Sequence, residues 1–291
     1  MNQKEFAKAF AIFVGAVMVL SAFAGFVLRS GNVETRSGPE SVETAPLSAF
    51  GVRGNLVDMS FSSMQDLLEM CPESTTFAYW IDLEASQNIT DAAASVIPEI
   101  YPPAAGLIYR DKMYPTEIRR EASVFFNDTW AEFHWVMPFS YNYQGLVIPY
   151  NDFMIVPATG DLGRVFGRPT LFGPEGALKQ IIDVILGGFP TDRLTLAYDE
   201  VADLQIAGVG GVENAPLGGG YDEFYAGISQ RGNGIYVSCR FMSPYGNTLT
   251  RIQTLATKYK MSISRDGSIL RLDGTVPPEE LKGVIADLLA P

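Results

Sequence analysis

Apolar and polar positions along this chain follow three different rhythms, and each marks a different kind of segment. The first is no rhythm at all: Ala9 to Leu28 runs without a charge, immediately behind the short basic stretch MNQKEFAK. At about 1.5 Å per residue such a run spans about 30 Å as a helix, the thickness of a bilayer core. Ala9, Phe10, Leu20 and Leu28 then mark a membrane helix within residues 1–29. A secretory signal is the competing reading, because Ala22-Phe23-Ala24 fits a cleavage site. The apolar residues Phe26, Val27 and Leu28 carry on past it, which favours a retained signal-anchor. Lys4 and Lys8 before the run, against Arg29 and Arg36 after it, leave the charge rule nearly balanced. A short basic tail ahead of a first apolar segment places the rest of the chain outside the cytoplasm.

Residues 30–50 are small and polar, with Val-Glu-Thr occurring twice. They hold too little apolar surface to fold and read as a flexible tether.

The second and third rhythms, period two and period 3.6, alternate through residues 51–291. GNLVDMSF, TTFAYWIDL, ASVFF and AEFHWVM read as strands. Met64, Leu67 and Leu68 form one face of a short helix capped by Ser62 or Ser63 and stopped by Pro72. Leu178, Ile181, Ile182 and Ile185 make a helical stripe that opens at Pro174 and ends at Gly187-Gly188. RLTLAY and DLQIAGV follow as strands. Asn233-Gly234 and Asp266-Gly267 mark two hairpins, with a helix from about Asn247 between them. Pro277, Pro278, Glu279 and Glu280 open a last helix, with Leu281, Val284, Ile285 and Leu288 on its buried side. Frequent hairpins argue for an α+β fold with antiparallel or mixed sheets and helices packed on one face. Two lobes, 51–165 with aromatic-rich strands and 166–291, of ferredoxin-like pattern, accommodate these elements.

A formal charge of −12 disfavours nucleic acid, whose phosphates demand a basic face. Partners are then the lipid bilayer, through the N-terminal helix, and a protein or other envelope component. Two cysteines, Cys71 and Cys239, either form one disulfide or stay as separate buried thiols. Asn88-Ile89-Thr90 and Asn127-Asp128-Thr129 match the glycosylation sequon.

Catalytic chemistry is thinly represented. His134 is the sole histidine, and on a strand its neighbours Phe133 and Trp135 face the other way. Three scattered His and Cys residues are a poor basis for zinc. The glycine-rich GVGGVENAPLGGG lacks dinucleotide-binding spacing and leads to a strand, so no cofactor is expected. Asp199, Glu200 and Asp203 cluster between two expected strands, where carboxylates suit Ca²⁺. The favoured reading is a membrane-tethered extracytoplasmic binding or assembly module without a recognisable catalytic site. Its rival is a carboxylate-dependent hydrolase of an envelope polymer or glycan, with Trp130, Trp135 and Tyr143 as a sugar platform.

Overall fold

The structure, a computed structural model, describes residues 54–139, 147–198 and 200–291. The membrane helix expected at 9–28 and the tether at 30–50 lie outside these residues. Among the described residues no helix is long and apolar enough to cross a membrane.

The first elements among the described residues are β1 (Val57–Asp58) and α1 (Met64–Leu68), the latter capped at its N-terminus by Ser63 Oγ accepting from the Asp66 N–H at 3.2 Å. β2 (Thr75–Asp82) leads to α2 (Gln87–Ile100) and the single turn α3 (Ala105–Ile108). β3 (Ile118–Phe126) and β4 (Thr129–Val136) form a hairpin. Next come β5 (Ile148–Tyr150), β6 (Phe153–Pro157), β7 (Leu162–Val165), β8 (Gly167–Arg168) and β9 (Thr170–Pro174). α4 (Glu175–Ile185) connects to β10 (Leu204–Val209), β11 (Glu223–Arg231) and β12 (Gly234–Met242). α5 (Asn247–Tyr259), β13 (Ser262–Asp266), β14 (Ile269–Val276) and α6 (Leu281–Leu289) complete it.

Twelve strands join one antiparallel sheet in the order β13-β14-β12-β11-β10-β2-β3-β4-β9-β7-β6-β5. β1 and β8 form a separate parallel pair. The large antiparallel sheet with helices is the α+β architecture expected. The sheet runs through both 51–165 and 166–291, because β10 pairs with β2 and β4 pairs with β9.

Helices cover both faces of the sheet rather than one. Phe77, Tyr79 and Ile81 of β2 join a core with α2, α5 and α6. Ala78 and Trp80, pointing the opposite way, join a second core with α1 and α4. The reason is visible in β10, where all six residues of LQIAGV are buried. A strand apolar on both sides needs cover on both sides.

Two local expectations also change. RLTLAY forms no strand: Leu194 adopts φ +62°, and Thr195–Ala197 is a 3₁₀ turn. The Glu223 carboxylate holds that turn, accepting from the Leu194 N–H (3.0 Å), the Thr195 hydroxyl (2.9 Å) and the Leu196 N–H (3.3 Å). Of GNLVDMSF, Val57–Asp58 alone is strand.

A buried carboxylate–imidazole site beneath α3

The site grows out of the β3–β4 hairpin. Its turn residues Asn127 and Asp128 have φ +47° and +56°, the left-handed pair that a two-residue hairpin loop requires. That turn sets the register: Phe126 pairs with Thr129, Ser123 with Glu132, and Glu121 with His134. Alternation then sends Ala122, Val124, Ala131 and Phe133 to the α1/α4 core. Glu121, Ser123, Glu132 and His134 go to the opposite face, and all four are buried. β2 adds Tyr79, which pairs with Ser123.

These groups form one hydrogen-bonded network. Ser123 Oγ donates to Tyr79 Oη (3.0 Å), and the Tyr79 hydroxyl donates to Glu121 Oε1 (2.9 Å). Glu132 accepts three bonds: from the Ala105 N–H (2.6 Å), the Gly106 N–H (3.0 Å) and His134 Nε2 (2.8 Å). His134 Nδ1 lies 2.7 Å from the Tyr114 hydroxyl. With the ring proton assigned to Nε2, where Glu132 receives it, Nδ1 accepts from Tyr114. Phe172 stacks on the imidazole at 6.1 Å between ring centroids, and the Arg164 guanidinium lies 5.2 Å from the Tyr114 ring centroid.

Burial is the dominant electrostatic fact here. Desolvation, and then the Glu132 charge, hold the Glu121 carboxyl well above its usual range, while the Tyr79 hydroxyl and the Leu107 N–H pull the other way. Desolvation followed by the Glu121 and Glu132 charges likewise pushes the Tyr79 hydroxyl up. Glu121 Oε2 has no partner at hydrogen-bond geometry. Gly106 is the piece that lets α3 close over the cluster. A Cβ there would lie 2.7 Å from both Glu121 Cδ and His134 Nε2. Glycine is required by space rather than by backbone angle.

Among the described residues, Glu121, Glu132 and His134 are the acidic, His or Cys residues whose ligand atoms converge, all within 4.8 Å of one another. Of the expected cluster Asp199, Glu200 and Asp203, the two described members are not part of such a convergence. Asp199 lies outside the described residues, Glu200 is ion-paired with Arg240, and Asp203 accepts from the Gln230 N–H at 2.8 Å. Cys71 and Cys239 are free thiols in the cores on opposite faces of the sheet. Asn88 and Asn127 are both exposed. Trp130 and Trp135 are partly buried, Trp135 against Phe61, and Tyr143 lies outside the described residues.

Two open clefts lie elsewhere. One, of about 250 Å³, is lined by Phe77, Tyr101, Phe125, Val209, Asn214 and Pro216. The other, of about 370 Å³, is lined by Leu83, Thr90, Asp91, Tyr109, Arg110 and Lys112. Neither is lined by Glu121, Glu132 or His134.

No family model and no curated protein matches this chain. Crystal form I of TP0453 is similar over 77% of this chain and 97% of its own, at 11% identity and a TM-score of 0.46. Crystal form III of TP0453 covers 76% and 98%, at 12% identity and a TM-score of 0.47. A superposition that loose carries no inference about activity.

Sequence reasoning placed His134 on the strand face opposite Phe133 and Trp135, as the structure has it, but missed Glu121 and Glu132. The signal was Asn127-Asp128 between two strand-like runs. Read as a two-residue hairpin turn, it puts Glu121 opposite His134.

Proposed function

We propose that this chain is a membrane-tethered, extracytoplasmic binding or assembly module. The observation that carries the reading is the connection between α4 and β10. It exposes Leu186 (52%), Phe189 (87%) and Val201 (92%), and Tyr198 in the same connection is also exposed. Single exposed apolar side chains are ordinary, but several large ones in one connection suit a surface that a partner covers. The apolar run Ala9–Leu28 and the polar tether supply the membrane half of the proposal.

The rival, a carboxylate-dependent hydrolase, has a pair of converging acids in Glu121 and Glu132. Both are fully buried beneath α3, where a polymer has no route to them. A hydrolase needs such a pair in an open concave site. The binding reading has the better support.

The test uses the full chain in intact cells. A photo-crosslinking residue at Phe189 or Val201 is expected to give a discrete high-mass adduct that the exposed Lys282 position does not. Protease added outside is expected to remove a C-terminal tag and leave a membrane-bound stub. A protected tag, or equal crosslinking at all three positions, overturns the proposal.

A further inference from the structure

Two carboxylates and an imidazole packed together out of reach of water are an expensive arrangement. Apolar residues of similar volume fill such a space at less free-energy cost, unless something compensates the charge. Three features show what would compensate it. Glu121 is wholly buried, yet its Oε2 has no hydrogen-bond partner. The ligand atoms of Glu121, Glu132 and His134 converge within 4.8 Å. The imidazole is held by Tyr114 through Nδ1 at 2.7 Å; with a metal on Nε2 the ring proton moves to Nδ1 and is donated to the Tyr114 oxygen, the outer contact that orients a metal-ligating histidine.

We propose that Glu121, Glu132 and His134 bind a divalent first-row metal ion, of the class represented by Zn²⁺ and Mn²⁺. Carboxylate oxygens with one imidazole nitrogen suit these ions, and a soft ion such as Cu(I) would want sulfur. The metal takes its ligands deprotonated, so binding releases any proton held by Glu121; the doubly positive charge then offsets two carboxylates, and the unpartnered oxygen of Glu121 becomes a ligand. Glu132 keeps its bonds from the Ala105 and Gly106 N–H groups, since a carboxylate has about four lone-pair directions and these two use one on each oxygen. Metal–ligand bonds of about 2.0–2.2 Å require His134 Nε2 and Glu132 Oε2, now 2.8 Å apart, to part by roughly half an ångström. Rotation of the Glu121 side chain closes the remaining gap. The role is structural: the ion ties β3 and β4 to α3, the segment that covers them.

The experiment takes the full chain purified in detergent, stripped with chelator and dialysed against Zn²⁺, Mn²⁺ or Co²⁺. One equivalent of metal is expected to remain bound, with a higher Tm than in chelator. Co²⁺ is expected to add visible absorption bands. Glu121→Gln is nearly isosteric and still accepts the Tyr79 hydroxyl. It is expected to fold with an unchanged Tm in chelator while metal affinity falls by about tenfold or more. Glu200→Gln, in the acidic stretch outside this cluster, is expected to bind metal like the wild type. Substoichiometric binding of all three ions by the wild type overturns the proposal. So does undiminished binding by Glu121→Gln, or loss of binding in Glu200→Gln.

Discussion

The two faces of the β3–β4 hairpin share one backbone and one hydrogen-bond ladder, yet they solve opposite problems. On one face Ala122, Val124, Ala131 and Phe133 meet α1 and α4 in a dry apolar core, with Phe133 stacked on Phe61 at 6.2 Å. On the other, Glu121, Ser123, Glu132 and His134 sit just as deep, and their side-chain polar atoms are hydrogen-bonded except Glu121 Oε2. The apolar face tolerates any neighbour of the right shape. The polar face depends on particular donors, two of them backbone N–H groups of α3. A one-residue slip of register would exchange the two faces, so the turn at Asn127-Asp128 protects both.

The strongest way to break this contrast is to hollow the apolar side. Phe133→Ala is expected to lower the unfolding free energy by about 3–5 kcal/mol, measured by urea denaturation. A smaller loss there would mean that the core relaxes around the gap.

On the polar face the harm comes from orphaned donors rather than from lost volume. Glu132→Ala leaves the Ala105 N–H, the Gly106 N–H and His134 Nε2 without their acceptor. A loss of about 2–3 kcal/mol is expected, with amide exchange quickening in 104–109 ahead of the β-strands. If exchange quickens equally throughout, Glu132 does not hold α3 in particular. Gly106→Ala tests the same cover from above. The added methyl must displace both Glu121 and His134, at an expected loss of about 1–3 kcal/mol. Phe133 is unaffected, so its ring should keep its packing in the near-ultraviolet circular dichroism signal.

The mildest test lies at the rim of the apolar face, where polar groups are still reached by water. Burial alone would raise the Asp66 carboxyl, but hydrogen bonds from Ser62, Ser60 and the Ser63 backbone outweigh it and hold it below its usual value. A carboxyl depressed on folding adds stability above its ordinary range, near pH 4, and that stability disappears as the pH falls through the depressed value. Asp66→Asn is therefore expected to be less stable by about 0.5 kcal/mol at neutral pH, solvent screening keeping the figure small, and equal to the wild type in acid. A difference that persists in acid would assign the effect to geometry rather than charge.

Much of the molecule is legible in its amino acids because the relevant physics is local. Asn233-Gly234 and Asp266-Gly267 announce the β11–β12 and β13–β14 hairpins, and both hairpins occur, each with its two-residue loop one position away: Gly232-Asn233 (Gly232 φ +58°) and Gly267-Ser268 (Gly267 φ +60°). The buried stripes of α4 and α6 follow from spacing alone. α2 was equally open to reading: Ile89, Ala92, Ala93, Val96 and Ile97 keep helical spacing behind Ser86, and Pro98 near the end obscures the pattern. RLTLAY misleads because the Glu223 side chain, about thirty residues away, supplies the bonds that a strand neighbour would have supplied.

The sequence by itself determined the hairpins, the helical stripes and the side of its strand on which His134 stands, since turn chemistry and side-chain alternation act over a few residues. Only the tertiary structure decided that helices cover both faces, and that α3 closes over Glu132 through N–H groups 26 and 27 residues away in the chain. It also brought Tyr79 in from a neighbouring strand and Tyr114 from a loop. Whether a carboxylate is solvated or sealed depends on what packs above it, and no property of the residue or its immediate neighbours carries that information.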